Sequence, residues 1–171
     1  FTIYDATDQQ TLIKDCLKEL NLDDKQFPPR SVLGTISGAK NALLNSQAFA
    51  RRAGDFYEQK VADVYDLYEK KLKANNALDF DDLLLLAVCL LQEKEDVREK
   101  YQDRFQYILV DEYQDTNHAQ YMLTHMLAAK WKNICVVGDA DQSIYAWRGA
   151  DIRNIMDFNR DYPQAASIKL E

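Results

Sequence analysis

The sequence predicts an α/β chain, mainly helical at first and then alternating between strands and helices. Two observations carry that expectation. Apolar residues recur at helical spacing through about the first hundred positions. Beyond them, two short apolar runs, Tyr107–Val110 and Ile134–Val137, flank a further helical pattern. With 171 residues, 47% of them hydrophobic, the chain can bury a real core, because a domain of about 150 residues buries roughly 70% of its unfolded surface.

Taken in order, Thr7 or Asp8 is placed to cap a first helix whose apolar face is Leu12, Ile13, Cys16, Leu17 and Leu20. Pro28-Pro29 breaks the chain and opens a second helix, with Val32, Leu33 and Ile36 on one face. Tyr57, Val61, Val64, Tyr65, Tyr68 and Leu72 form a long core-facing stripe. The Glu58, Asp63, Glu69, Lys70 and Lys71 charges beside it read as a solvated face. Leu83 to Leu91 is an almost wholly apolar helix, capped by Asp79. Its neighbour Phe80 lies among acids in Leu78-Asp79-Phe80-Asp81-Asp82. Those acids are expected to point away from Phe80 and to favour the positive end of the helix. The change from helices to strand, helix, strand falls near residues 80–105.

Tyr107–Val110 runs directly into Asp111-Glu112-Tyr113-Gln114-Asp115. A short apolar run bounded by polar residues reads as a buried strand of a parallel sheet, and ligands of such sheets gather at the carboxyl ends of the strands. A carboxylate there can hold Mg²⁺ and its neighbour can position a water for attack on a phosphate. An acidic, solvated turn is the plainer alternative. Ile134–Val137 ends likewise in Gly138-Asp139, and between the runs Ala119, Met122, Leu123, Met126 and Leu127 keep helical spacing. Strand, helix, strand in about thirty residues is a βαβ unit, with both strand ends facing one shared site.

VDEYQDTN (110–117) followed by VVGDADQSIYAWRGAD (136–151) resembles motifs II and III of superfamily 1 DNA helicases of the UvrD/PcrA/Rep type. ALDFDDLL (77–84) and the Trp-Arg-Gly-Ala run fit the PcrA branch best. The resemblance implies a helical insert, subdomain 1B, over residues 1–81. Residues 82–171 would be the second half of the RecA-like motor subdomain 1A, an incomplete P-loop NTPase fold. It implies an enzyme that hydrolyses ATP with Mg²⁺ and moves 3′ to 5′ on single-stranded DNA, unwinding duplex DNA. Asp111 would hold Mg²⁺, Glu112 would orient and deprotonate the attacking water, and Gln142 would contact the γ-phosphate. Phe80, Tyr145 and Trp147 would meet single-stranded DNA, with Arg148 serving DNA or coupling. Core packing is the alternative for Trp147 and a contact at the helix start for Phe80. Gln114 and Asp115 are expected to brace the loop rather than to do chemistry.

Such an ATPase needs a phosphate loop, GxxxxGK[ST]. Among the five glycines only Gly34 to Asn41 is suggestive. Its glycines are one residue too close, Lys40 does not follow Gly38 directly, and Asn41 stands where Ser or Thr must be. The segment is therefore assigned to a helix. The chain opens on Phe1 and closes on Ile168-Lys169-Leu170-Glu171, which reads as a strand, so a fragment is expected, inactive by itself. With the phosphate-loop strand missing, Ile134–Val137 and Ser167–Leu170 would each lack a partner. Self-association through open edges, another strand pairing, or fraying at the C-terminus is the expected outcome.

The net charge of −7 argues against a broad electrostatic footprint for DNA, so contacts would be local, from aromatic and basic side chains. Cys16, Cys89 and Cys135 read as buried thiols, and His118 and His125 as surface or hydrogen-bonded residues rather than metal ligands. No apolar run approaches the roughly 18 residues of a membrane span, and no secretory leader opens the chain, so a cytoplasmic location is expected. Two other classes remain open. One is a metal-dependent nuclease or phosphatase using Asp111, Asp115 and Asp139, which requires carboxylates converging on two ions. The other is a non-catalytic DNA-binding module.

Overall fold

The structure, a computed structural model, describes residues 1–142 and 150–169. It divides into two compact units, Phe1–Glu93 and Lys94–Glu171. The α/β class expected from the sequence is present, with helices and two small parallel sheets. No helix among the described residues is long and apolar enough to cross a membrane.

In the first unit, strand β1 (Thr2–Tyr4) leads into α1 (Ala6–Glu19). The cap is Asp5 rather than Thr7 or Asp8. Its Oδ1 accepts from the Thr7 and Asp8 amides at 2.7 and 2.9 Å, and Asp8 returns a bond to the Asp5 amide. Helix α2 (Pro29–Asn41) starts at the proline pair, as expected, and contains the whole of Gly34 to Asn41. After the short α3 (Ser46–Ala50), α4 (Phe56–Ala74) buries Val61, Val64, Tyr65, Tyr68 and Leu72 against Ile13, Cys16 and Leu17 of α1 and Val32 and Ile36 of α2. Strand β2 (Ala77–Asp79) pairs in parallel with β1, Ile3 opposite Leu78, and α5 (Phe80–Glu93) follows at once. These two strands depart from an all-helical expectation. Each is three residues long, too short for alternation to show against the flanking helical pattern. Helix α5 packs on α2 and β2, so it belongs to the first compact unit.

A buried charge joins these elements. Lys40 is fully buried. Its Nζ lies 2.6 Å from Asp79 Oδ2 and 2.6 Å from Asp82 Oδ1. The Tyr68 hydroxyl donates to the same Asp79 oxygen at 3.0 Å, and the Tyr68 ring lies 5.2 Å from the ammonium. Asp79 Oδ1 accepts from the Asp82 amide, and Asp82 Oδ2 from the Asp79 amide, a reciprocal cap on α5. Asp79 therefore caps this helix as expected. Asp79 and Asp82 also turn inward onto Lys40, which the sequence pattern did not foresee. Burial pushes the Asp82 carboxyl up from its ordinary range, against the pull of Lys40.

The second unit opens with α6 (Glu95–Arg104), then β3 (Ile108–Val110) and a 3₁₀ turn at Tyr113–Asp115. Helix α7 (His118–Ala128) is capped by Asn117 and Gln120 through reciprocal 2.9 Å bonds. Strand β4 (Ile134–Val136) runs parallel to β3 with Leu109 opposite Cys135. A second 3₁₀ turn, Ala140–Gln142, and short helices α8 (Arg153–Met156) and α9 (Phe158–Asp161) complete the unit. The His125 Nδ1 meets the Tyr162 hydroxyl at 3.2 Å, a hydrogen-bonded histidine as expected. Cys16 is buried, and burial pushes its thiol up to about 11. Cys89 is half-buried, while Cys135 is exposed, contrary to expectation. The cause is an uncovered sheet face, on which Leu109 is 72% exposed beside Cys135. Residues 165–169 form no strand, and Leu170 lies outside the described residues. Among the described residues β4 therefore pairs with β3 alone.

Breaking the Lys40 cluster should be costly. Lys40→Met keeps the apolar stem but leaves two buried carboxylates facing each other. Removing one partner of a buried ion pair costs about 3–5 kcal/mol, and chemical denaturation should show a loss of that order. A loss below about 1 kcal/mol would place the cluster with weakly contributing surface pairs.

Candidate functional site

The site is built where two parallel strands stop. The ladder continues past the strand ends, with the Val137 amide donating to the Val110 carbonyl at 2.8 Å and the Tyr113 amide to the Val137 carbonyl at 3.0 Å. These bonds hold residues 111–114 beside 137–139. Asp111 and Glu112 are both exposed, and Asp111 Oδ1 accepts from the Glu112 amide at 2.9 Å. Glu112 itself is left-handed, φ 50 and ψ 43, a conformation that side-chain-bearing residues adopt at a cost.

Beneath these carboxylates lies Gln114, 1% exposed. Its Nε2 donates to Glu112 Oε2 at 2.7 Å, and its Oε1 accepts from the Asp139 amide at 3.0 Å. Asp139 in turn organises the next turn. Its Oδ1 accepts from the Asp141 amide at 2.9 Å and its Oδ2 from Gln142 Nε2 at 2.8 Å. Glu112 and Gln142 are thus joined through Gln114 and Asp139. Gly138 makes room for this chain: a Cβ there would lie 2.4 Å from Gln114 Oε1, 2.9 Å from Ile155 Cδ1 and 3.2 Å from the Tyr113 amide nitrogen.

The turn is held from its other side as well. The Thr116 hydroxyl donates to the Tyr113 carbonyl at 2.7 Å, and the Asp151 amide and Asn154 Nδ2 donate to the Thr116 carbonyl, each at 3.0 Å. Tyr113 is buried with its ring edge-on to Phe158 at 5.7 Å. Asp115 Oδ1 is the one buried side-chain oxygen or nitrogen among the described residues that has no hydrogen-bond partner.

Of the residues singled out in the sequence, Asp111, Glu112 and Gln142 come together here. Phe80 belongs to the other unit, at the first position of α5, and is 60% exposed although Asp79 and Asp82 on either side are buried. Tyr145, Trp147 and Arg148 lie outside the described residues. Gln114 was expected only to brace the loop; its link to both Glu112 and Asp139 is visible only in three dimensions. Among the described residues no three His, Cys, Asp or Glu side chains converge as a metal site, so a nuclease centred on Asp111, Asp115 and Asp139 gains no support.

A family model for the UvrD/REP helicase N-terminal domain matches residues 1–163. The chain belongs to the UvrD/REP helicase family. It is 57% identical over all its 171 residues to the ATP-dependent DNA helicase PcrA of Bacillus subtilis (strain 168), and covers 23% of that helicase. It is 54% identical, again over its full length, to the PcrA helicases of Staphylococcus aureus (strain Mu50) and Staphylococcus epidermidis, covering 23% and 24% of them. The chain thus spans about a quarter of the length of these helicases.

Proposed function

We propose that the chain is part of an ATP-dependent DNA helicase that moves 3′ to 5′ on single-stranded DNA and unwinds duplex DNA. In this reading residues 1–81 are the helical subdomain 1B and residues 82–171 the second half of the RecA-like motor subdomain 1A, of P-loop NTPase fold. The observation that carries it is the hydrogen-bonded link between Glu112 and Gln142 at the carboxyl ends of two parallel strands, where ligands of α/β sheets bind. Membership in a family whose relatives are named ATP-dependent DNA helicases supports the same conclusion.

Glu112 orients the attacking water and takes its proton, and Gln142 meets the γ-phosphate through its amide. A single exposed carboxylate, Asp111, suits Mg²⁺, which keeps several waters and takes further oxygens from substrate phosphates. Bound with the nucleotide, the ion would offset charge on the phosphates. Phe80, Tyr145 and Trp147 stack on bases, and Arg148 serves DNA or coupling. Exposure of Phe80 between two buried aspartates favours contact over packing. The sequence holds no phosphate loop, so the isolated chain is not expected to turn over ATP, and the tests use the full-length helicase that carries it.

Glu112→Gln should abolish DNA-stimulated ATP turnover, by the ~10²–10⁴ that a positioned base contributes, while ATP still binds. Steady-state hydrolysis with parallel binding measurements checks this, and near-normal turnover sinks the assignment. Phe80→Ala and Trp147→Ala should each weaken single-strand binding by ~1–3 kcal/mol, the usual worth of a base stack, with unwinding falling more than basal hydrolysis. Titration with a labelled oligonucleotide reads this. A variant that melts far lower while binding DNA normally when folded would mark a core residue instead. For the isolated chain we propose self-association through the open edges of the β3–β4 sheet. Sedimentation over a concentration series should show growth in mass, and a constant monomer mass would exclude it.

A further inference from the structure

We propose that Gln114 is a positioning residue whose buried side-chain amide holds Glu112 and the Asp139–Gln142 turn in one fixed relation. The proposal rests on the assignment of Glu112 as general base and Gln142 as γ-phosphate contact.

Chemistry fixes the orientation of this amide. The Asp139 backbone N–H can only donate, so Oε1 faces it; the Glu112 carboxylate accepts, so Nε2 faces that. Both ends of one planar group are thus engaged, on residues from two different strand ends. Gln114 has no freedom to satisfy one end alone, since it is 1% exposed and a buried donor or acceptor left unpaired is penalised. Turning Glu112 away strands Nε2, and shifting the Asp139 amide strands Oε1. Gly138 is the complementary half of the device. Any Cβ there would lie 2.4 Å from Oε1 and push the amide from its place. Asp139 passes the constraint on, because its Oδ2 holds Gln142 Nε2 at 2.8 Å. A glutamine used merely to fill space would leave one end of its amide on water or on an adjacent carbonyl. Here one end holds the proposed general base and the other the turn that carries Gln142.

The two ends can be read separately in the full-length helicase. Gln114→Glu keeps an acceptor for the Asp139 amide but turns an acceptor toward Glu112. Gln114→Met removes both bonds at similar volume. Hydrogen exchange of the Asp139 amide reports the first bond, and kcat for ATP against nucleotide affinity reports the second. Gln114→Glu is expected to keep the Asp139 amide protected and nucleotide affinity within about threefold while kcat falls about 10²-fold, the usual cost of misplacing a reacting group by an ångström. Gln114→Met is expected to lose amide protection as well. A purely structural role predicts instead that kcat tracks amide protection and melting temperature across the variants, and that result overturns the proposal. Should Gln114→Glu not fold, Gly138→Ala takes its place. It displaces the amide without changing its chemistry and is expected to lower kcat per folded molecule about 10²-fold while nucleotide affinity stays within about threefold; unchanged kcat per folded molecule overturns the proposal. Gln114 variants with normal kcat beside an inactive Glu112→Gln would reject the bridge and keep the base. An active Glu112→Gln would reject both.

Discussion

The first unit is organised around a lysine that should not be where it is. Placing an ammonium group out of reach of water costs several kcal/mol even after relaxation. Lys40 meets that cost with two carboxylates at 2.6 Å and a tyrosine ring beneath. The partners come from different elements. Lys40 lies in the last turn of α2, Asp79 closes β2, Asp82 lies in the first turn of α5, and Tyr68 comes from α4. Each carboxylate also caps the other's backbone. The direction of α5 therefore follows from satisfying one charge, and so does the outward turn of Phe80, which sits between the two buried aspartates.

The second unit solves a comparable problem without a net charge. Its strand ends are joined first by backbone, through Val110, Val137 and Tyr113, and then by a single neutral amide. A carboxylate pair gains from a neutral neighbour of this kind. A lysine in the place of Gln114 would hold Glu112 in a strong ion pair, whereas an amide donates without competing for the charge. Gly138 shows how tightly the two strand ends are fitted.

Much of this was legible beforehand. The stripe Val61, Val64, Tyr65, Tyr68 and Leu72 is buried as its spacing requires. The βαβ unit has its carboxylates at the strand end. The misleading glycines around Lys40 are helical. What escaped has physical reasons. β1 and β2 hold three residues each and show no period. Lys40 did leave a trace, standing four and eight residues after Ile36 and Val32 on the buried face of α2, but a lysine in an apolar stripe has no partner in a one-dimensional pattern. Cys135 reads as buried because parallel strands are normally covered on both faces, and here one face is bare. The link through Gln114 and Asp139 joins residues 25 apart in sequence, and only the register of β3 on β4 brings them together.

The left-handed backbone of Glu112 has a consequence for variation at this position. Glycine, or to a lesser degree asparagine, occupies that region at little cost, whereas glutamate gives up about 1 kcal/mol or more. Replacing it with glycine would relieve local strain while removing the carboxylate, so under the role proposed for Glu112 thermal selection and functional selection pull in opposite directions here. A laboratory library ranked by heat resistance would enrich chains that had lost this carboxylate. Persistence of glutamate at such a site in active molecules would be a mark of selection for turnover over durability.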